Sequence, residues 1–240
     1  MATRALRSGF LFFRRFLANP RTVGAVLPSG RQLGCEMVRG ITLRPGDVVV
    51  EYGCGTGSLT EAIAALVRAT PGARFLGIER EPGFVAVLRE RFPDLEFACD
   101  DVGNVRALLA ARRLPPPRAI LSGLPLILLP TMEHIVATTA AALAPGGEFR
   151  TFSYIQSWPL PAAFRLRRLF RERFAQRGCS ALVLTNVPPA WVLRGVKAPL
   201  AADGVAIPSA SRSTDDRSIN ARPTNETARG TAEADPAGRH

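Results

Sequence analysis

The chain has 240 residues, a mass of 25.8 kDa, 47% apolar residues and a formal charge of +11. That length holds one domain or two with a sizeable core. No uninterrupted apolar run is long enough for a transmembrane helix. The four cysteines (Cys35, Cys54, Cys99, Cys179) have neither disulfide-scaffold nor metal-ligand spacing, so they read as reduced thiols and no metal site is expected. Lys197 is the only lysine, so arginine carries the basic excess and points to an anionic partner, nucleic acid or an acidic membrane.

Three segments follow in chain order. Residues 1–45 hold eight arginines and one acid, Glu36. At 100° per residue, Leu6, Phe10, Phe13 and Leu17 fall in one arc, and Arg4, Arg7, Arg14 and Arg15 cluster on the other side. This is the pattern of a basic amphipathic helix, which can lie in a membrane interface or pack on its own domain. The Arg14-Arg15 pair interrupts the apolar run, which speaks against a secretory signal. Residues 46–198 form the expected folded domain. Residues 199–240 contain no Phe, Trp or Tyr, and their five arginines nearly cancel six acids. They read as a disordered tail.

Within the domain, Asp47 to Glu51 is a β-rich run leading into Gly53-Cys54-Gly55-Thr56-Gly57 and a helix over 58–68. Strand, glycine turn and helix make the opening of a doubly wound sheet. Further strands are predicted at 74–79, 95–98, 118–121, 147–155, 180–187 and 190–196. Helices are predicted near 82–92, 102–113, 130–143 and 160–177. The last of these carries six arginines, and Leu166, Phe170 and Phe174 line one stripe of it.

The acids and glycines fall at strand carboxyl ends, where such sheets bind ligands. Glu79, ending the second strand, can accept both ribose hydroxyls. Asp100 and Asp101, after the third, offer a carboxylate to an adenine amino group. A nicotinamide dinucleotide would require glycine at position 58, where Ser58 stands. Glu51, ahead of the glycines, suits a ligand with a cationic amino-acid end. The site therefore reads as one for S-adenosyl-L-methionine.

The run Glu51 to Gly57 resembles motif I of class I S-adenosylmethionine-dependent methyltransferases. Four further pieces, Asn19-Pro20-Arg21-Thr22-Val23-Gly24-Ala25-Val26-Leu27-Pro28-Ser29, Ser122-Gly123-Leu124-Pro125-Leu126, Phe152-Ser153-Tyr154 and Asn186-Val187-Pro188-Pro189-Ala190, resemble the bacterial phospholipid N-methyltransferases. The resemblance covers about residues 10–196. It implies an α/β, Rossmann-like fold: a seven-stranded mostly parallel sheet with helices on both faces, beside the N-terminal amphipathic helix, whose segment also covers the cofactor; the C-terminal tail, disordered by its composition, has no counterpart in the resemblance. It implies methylation of phosphatidylethanolamine towards phosphatidylcholine by a cytoplasmic protein, peripheral on the inner face of the membrane. An anionic membrane surface is then the partner, rather than nucleic acid.

The resemblance assigns Glu51, Gly53, Gly55, Gly57, Glu79, Asp100, Asp101, Ser122 and Gly123 to cofactor binding. Tyr154 becomes the candidate catalytic residue, touching the lipid ammonium; a packed strand tyrosine is the alternative. The related ribosomal RNA adenine dimethyltransferases carry Asn-(Leu/Ile)-Pro-(Tyr/Phe) after the fourth strand. Gly123 and Leu126 stand here where they have the amide and the aromatic ring. RNA adenine methylation is thus the second expectation, and a non-catalytic lipid- or RNA-binding module the third.

Overall fold

The computed structural model describes residues 28–200, except 185 and 187. The amphipathic segment predicted over residues 1–21 and the tail predicted over 199–240 lie outside the described residues, except for the first positions of the tail.

The elements run α1 (Pro28–Val38), β1 (Val48–Tyr52), α2 (Ser58–Arg68), β2 (Arg74–Glu79), α3 (Pro82–Arg91), β3 (Glu96–Cys99), α4 (Val105–Ala111), β4 (Ala119–Ser122), α5 (Met132–Ala142), β5 (Glu148–Tyr154), α6 (Pro161–Arg173), β6 (Gln176–Cys179) and β7 (Ala190–Val196). They build one sheet in the order β3-β2-β1-β4-β5-β7-β6. The first five strands are parallel neighbours, β7 runs antiparallel to β5, and β6 antiparallel to β7. This is the Rossmann-like seven-stranded arrangement that the motifs imply.

Every residue of β1 is buried, as expected of a parallel strand covered on both faces. Its alternation divides the core. Val48, Val50 and Tyr52 join α4, α5 and α6 on one face, and Val49 joins α1, α2 and α3 on the other. Helix α2 buries Thr60, Ile63, Ala64 and Val67, the i, i+3, i+4, i+7 stripe of a helix laid on a sheet. In α6 the predicted stripe is buried: Leu166, Phe170 and Phe174 are 1%, 4% and 2% exposed.

Three boundaries differ from the sequence reading. The helix expected over 160–177 ends at Arg173, and the strand expected at 180–187 lies earlier, at Gln176–Cys179. Pairing with β7 decides this, since Gln176 to Cys179 register with Val196 to Leu193. As a sheet edge, β6 has no need of an apolar sequence. The more apolar 181–184 stretch makes only the Val183–Ala190 bridge. The helix expected over 102–113 begins instead as a tight 3₁₀ turn, Val102–Asn104. There Asp101 accepts the Gly103 N–H at 2.8 Å.

Helix α1 is pinned to the sheet by buried charge. Arg150 on β5 is 5% exposed and donates from Nη1 to the carbonyls of Met37 (3.1 Å) and Arg39 (2.7 Å), at the end of α1. Its charge is met by buried Glu148, which also takes Arg194. Guanidinium donors at a helix C-terminus satisfy carbonyls that lack partners and oppose the negative end of the dipole. Replacing Arg150 with Met strands both those carbonyls and part of the Glu148 charge. A loss of about 3 kcal/mol of stability is expected, measured by urea unfolding.

Candidate functional site

The site is built where β1 ends. Gly53, Gly55 and Gly57 have φ of 68°, 51° and 87°, a left-handed series that carries the chain from strand to helix. Gly57 also stands against α3: a methyl there would come within 2.8 Å of the Phe92 ring. The turn is tied on both sides. Gly53 N–H donates to the Ile78 carbonyl at 2.9 Å, and Arg91 Nη1 donates to the Thr56 carbonyl at 2.7 Å.

Glu51 is 1% exposed. Its Oε2 accepts from Thr60 Oγ1 at 2.7 Å, and its Oε1 has no partner among the described residues. Burial, with a smaller push from the Glu79 charge, raises its pKa to about 8, against the Thr60 hydrogen bond. A buried carboxyl with one orphan oxygen calls for a cation or a donor at that point.

Glu79 organises the next stretch. Oε2 accepts the Gly55 N–H and Oε1 the Glu81 N–H, both at 2.9 Å. Each carboxylate oxygen keeps a second lone pair, enough for a pair of vicinal hydroxyls. Asp100 Oδ1 accepts the Asp101 N–H (2.6 Å) and Asn104 Nδ2 (2.8 Å). The Asn104 bond first, then that backbone bond, hold the Asp100 carboxyl below its ordinary range. Asp100 and Asp101 thus each commit Oδ1 to the local turn, with Oδ2 outside those bonds.

Gly123 crosses above the glycine turn. Its N–H donates to the Tyr52 carbonyl at 2.8 Å, and a Cβ on it would lie 2.8 Å from the Gly53 carbonyl oxygen. Ser122 is fully buried, and its Oγ accepts the Leu124 N–H at 3.2 Å, shaping the same turn. The Leu124 side chain covers the Cα of Gly53. Leu126 is 1% exposed, in the core. The predicted site residues of the first four strands therefore gather at one end of the sheet. Tyr154 ends β5 at that same end, half-buried, its ring edge-on to Phe152 at 5.3 Å. Burial raises the phenol's pKa.

Sequence reasoning passed over two contributors. Thr60 is one polar residue on the buried stripe of α2, a signal visible in the pattern. Arg91 reads as a solvated end of α3. His134 on α5 is exposed, and a methyl on Gly103 would come within 3.3 Å of its Nε2. Cys54 is buried beneath the turn, and desolvation pushes its thiol well above the ordinary range, which makes it inert.

Residues 49–147 match the family described as a methyltransferase domain. The chain is 31% identical over 199 residues to the ornithine lipid N-methyltransferase of Singulisphaera acidiphila, covering 80% of this chain and 98% of that protein. It is 33% identical over 118 residues to the ribosomal RNA small subunit methyltransferase A of Thermotoga neapolitana, covering 48% of this chain and 41% of that protein. Among solved structures, the N-methyltransferase NodS from Bradyrhizobium japonicum WM9 in complex with S-adenosyl-L-homocysteine shares the fold. There the TM-score is 0.53 at 17% identity, over 71% of this chain and 88% of that one.

Proposed function

The chain belongs to the class I S-adenosyl-L-methionine-dependent methyltransferase family, and we propose that it N-methylates the head-group amine of a membrane aminolipid, converting phosphatidylethanolamine towards phosphatidylcholine. Its cofactor is S-adenosyl-L-methionine, which supplies an electrophilic methyl group on a sulfonium. The residues present fit that ligand. Orphan Oε1 of Glu51 suits its cationic amino-acid end, Glu79 its ribose hydroxyls, and Asp100 or Asp101 its adenine amino group. The left-handed turn of Gly53, Gly55 and Gly57 admits close backbone approach.

With the methyl donor already activated, the protein's task is to hold a neutral amine in line with it. Ser122 and Gly123 border the acceptor side. Tyr154 offers a ring face or a hydroxyl to the ammonium, and water takes the proton. Cys54 has no part in the step.

The observation that carries the reading is the crossing at Gly123. No side chain amide fits there without displacing the Gly53 carbonyl, and buried Leu126 cannot stack on a flipped base. That favours an aliphatic amine over RNA adenine. A second reading within the same chemistry is the amine of ornithine lipid, favoured by the end-to-end match to a relative bearing that name.

Methyl-labelled S-adenosylmethionine incubated with the protein, phosphatidylethanolamine vesicles, ornithine lipid vesicles and total RNA tests this. Label in phosphatidylethanolamine is expected. Label in ornithine lipid alone moves the substrate to the second reading, and label in RNA alone overturns both. We place the protein on the anionic inner face of the membrane. There the arginines and phenylalanines of residues 1–18 support binding, so high salt or deletion of 1–18 should weaken vesicle association.

A further inference from the structure

Six large apolar residues are exposed among the described residues, and four of them (Ile155, Leu160, Phe164 and Leu184) lie around one end of the sheet. Ile155 begins the turn directly after Tyr154, and its N–H donates to the Pro189 carbonyl at 2.9 Å. Leu160 caps α6 and Phe164 sits in its first turn. Leu184 follows the Val183–Ala190 bridge, and Ala190 registers with Tyr154. Phe164 is 52% and Leu184 70% exposed. Apolar side chains gathered in this way at the mouth of a site mark an interaction surface.

The rim is rigid. Arg167 is 5% exposed, and its guanidinium stands 4.3 Å from the ring centres of both Trp158 and Phe164. Its Nη1 donates to the Trp158 carbonyl at 3.2 Å, and Trp158 lies against Trp191 at 4.4 Å. An anchored apolar surface loses little conformational entropy on insertion.

Arg167 is also incomplete. No carboxylate pairs with it among the described residues, and its Nη2 has no hydrogen-bond partner there. A guanidinium without a carboxylate partner keeps the potential of this face positive. Around it, Phe164, Arg168 and Arg171 share one helix face by their i, i+4, i+7 spacing, both arginines being exposed; Glu172, the only acid in α6, pairs with Arg168 at 3.4 Å, so it leaves Arg171 to the surface. Apolar tips beside arginines, with an unpaired donor beneath, complement acyl chains under lipid phosphates.

We infer that this rim is the surface on which the protein docks to an anionic phospholipid bilayer, with Phe164 and its apolar neighbours inserted, exposed Arg171 meeting a lipid phosphate and buried Arg167 holding Phe164 and Trp158 in place. The choice of partner rests on the aminolipid reading. Docking there would set the carboxyl end of β5, with Tyr154, against the bilayer.

Trp158 and Trp191 are the only tryptophans in the chain, so tryptophan emission reports this surface alone. The full chain is mixed with phosphatidylglycerol–phosphatidylethanolamine vesicles, with and without brominated acyl chains. A blue shift is expected, with roughly half of the emission quenched by bromine. Phe164→Ser, at an exposed position, should weaken vesicle binding about tenfold and remove most of the quenching. Arg167→Gln should do the same and Arg167→Lys should restore part of it. Inorganic phosphate alone should leave the emission unchanged.

Sedimentation with vesicles while emission stays unshifted and unquenched would overturn the inference, as would no association at all or a full response to phosphate alone. The lipid-labelling assay separates the two ideas. Lipid methylated with unquenched tryptophans removes the docking surface and keeps the substrate. Quenched tryptophans with no lipid labelled do the reverse.

Discussion

Glu51→Gln is expected to stabilise the ligand-free protein at pH 8 while weakening S-adenosylmethionine binding about 100-fold, the loss that follows removal of a buried charge partner. The carboxyl is 1% exposed and titrates at about 8, against an ordinary value of 4.5. Between those two pH values the unfolded chain has released this proton and the folded chain still holds it. Folding then takes up a proton, so stability falls as pH rises from 4.5 to 8 and is flat with respect to this group outside that window. Each pH unit across it is worth about 1.4 kcal/mol, so ionising Glu51 without a ligand costs a few kcal/mol. Glutamine keeps the shape without the proton and should remove that slope. Urea unfolding of both proteins at pH 5, 6.5 and 8 reads the difference; parallel profiles would show that Glu51 ionises freely. A cationic ligand end reverses the balance by favouring the carboxylate. Cofactor binding to the wild type at pH 7 should therefore release close to one proton, measured by calorimetry in buffers of differing ionisation enthalpy.

Much of this site was legible because its signals are local. A strand, a glycine turn and a helix occupy one stretch of 22 residues, 47–68, and strand-end acids mark positions at Glu79 and Asp101 that the parallel topology brings together. The buried stripe of α6 was likewise readable from its period. What escaped depends on distance along the chain. Edge strand β6 is chosen by its backbone pairing to β7, while its own residues, Gln-Arg-Gly-Cys, carry no strand signature. Glu148 and Arg150 read as solvent-facing charges on alternate positions of β5. Arg150 is buried because it donates to the end of α1, more than a hundred residues earlier, and Glu148 because it pairs with Arg150. Arg167 sits in a helix of arginines and differs from its neighbours only through Trp158 and Phe164. Periodicity cannot single out one charged residue from such a run.

Gly123→Ala is expected to reduce kcat/KM for lipid methylation by about 100-fold, with a loss of S-adenosylmethionine affinity and little loss of folding. The neighbours of a new Cβ are the carbonyl oxygens of Gly53 at 2.8 Å and Tyr52 at 3.4 Å. Both belong to backbone that cannot rotate away as a side chain would. Overpacking against fixed atoms costs about 1–3 kcal/mol. Here the strain falls on the turn of Gly53, Gly55 and Gly57, so it is spent displacing the donor from the acceptor, where a shift of about 1 Å is worth about 100-fold in rate. Gly123→Asn separates this steric account from a substrate switch. It restores the amide of the RNA adenine enzymes at the position where they carry it, yet Leu126 remains buried and the Gly53 carbonyl remains in the way. The variant should lose lipid methylation without gaining any label in RNA. Full activity in Gly123→Ala would show that the two loops part freely. Labelled RNA from Gly123→Asn would show that one side chain, and not the close approach of the turns after β1 and β4, decides between an aliphatic amine and a base.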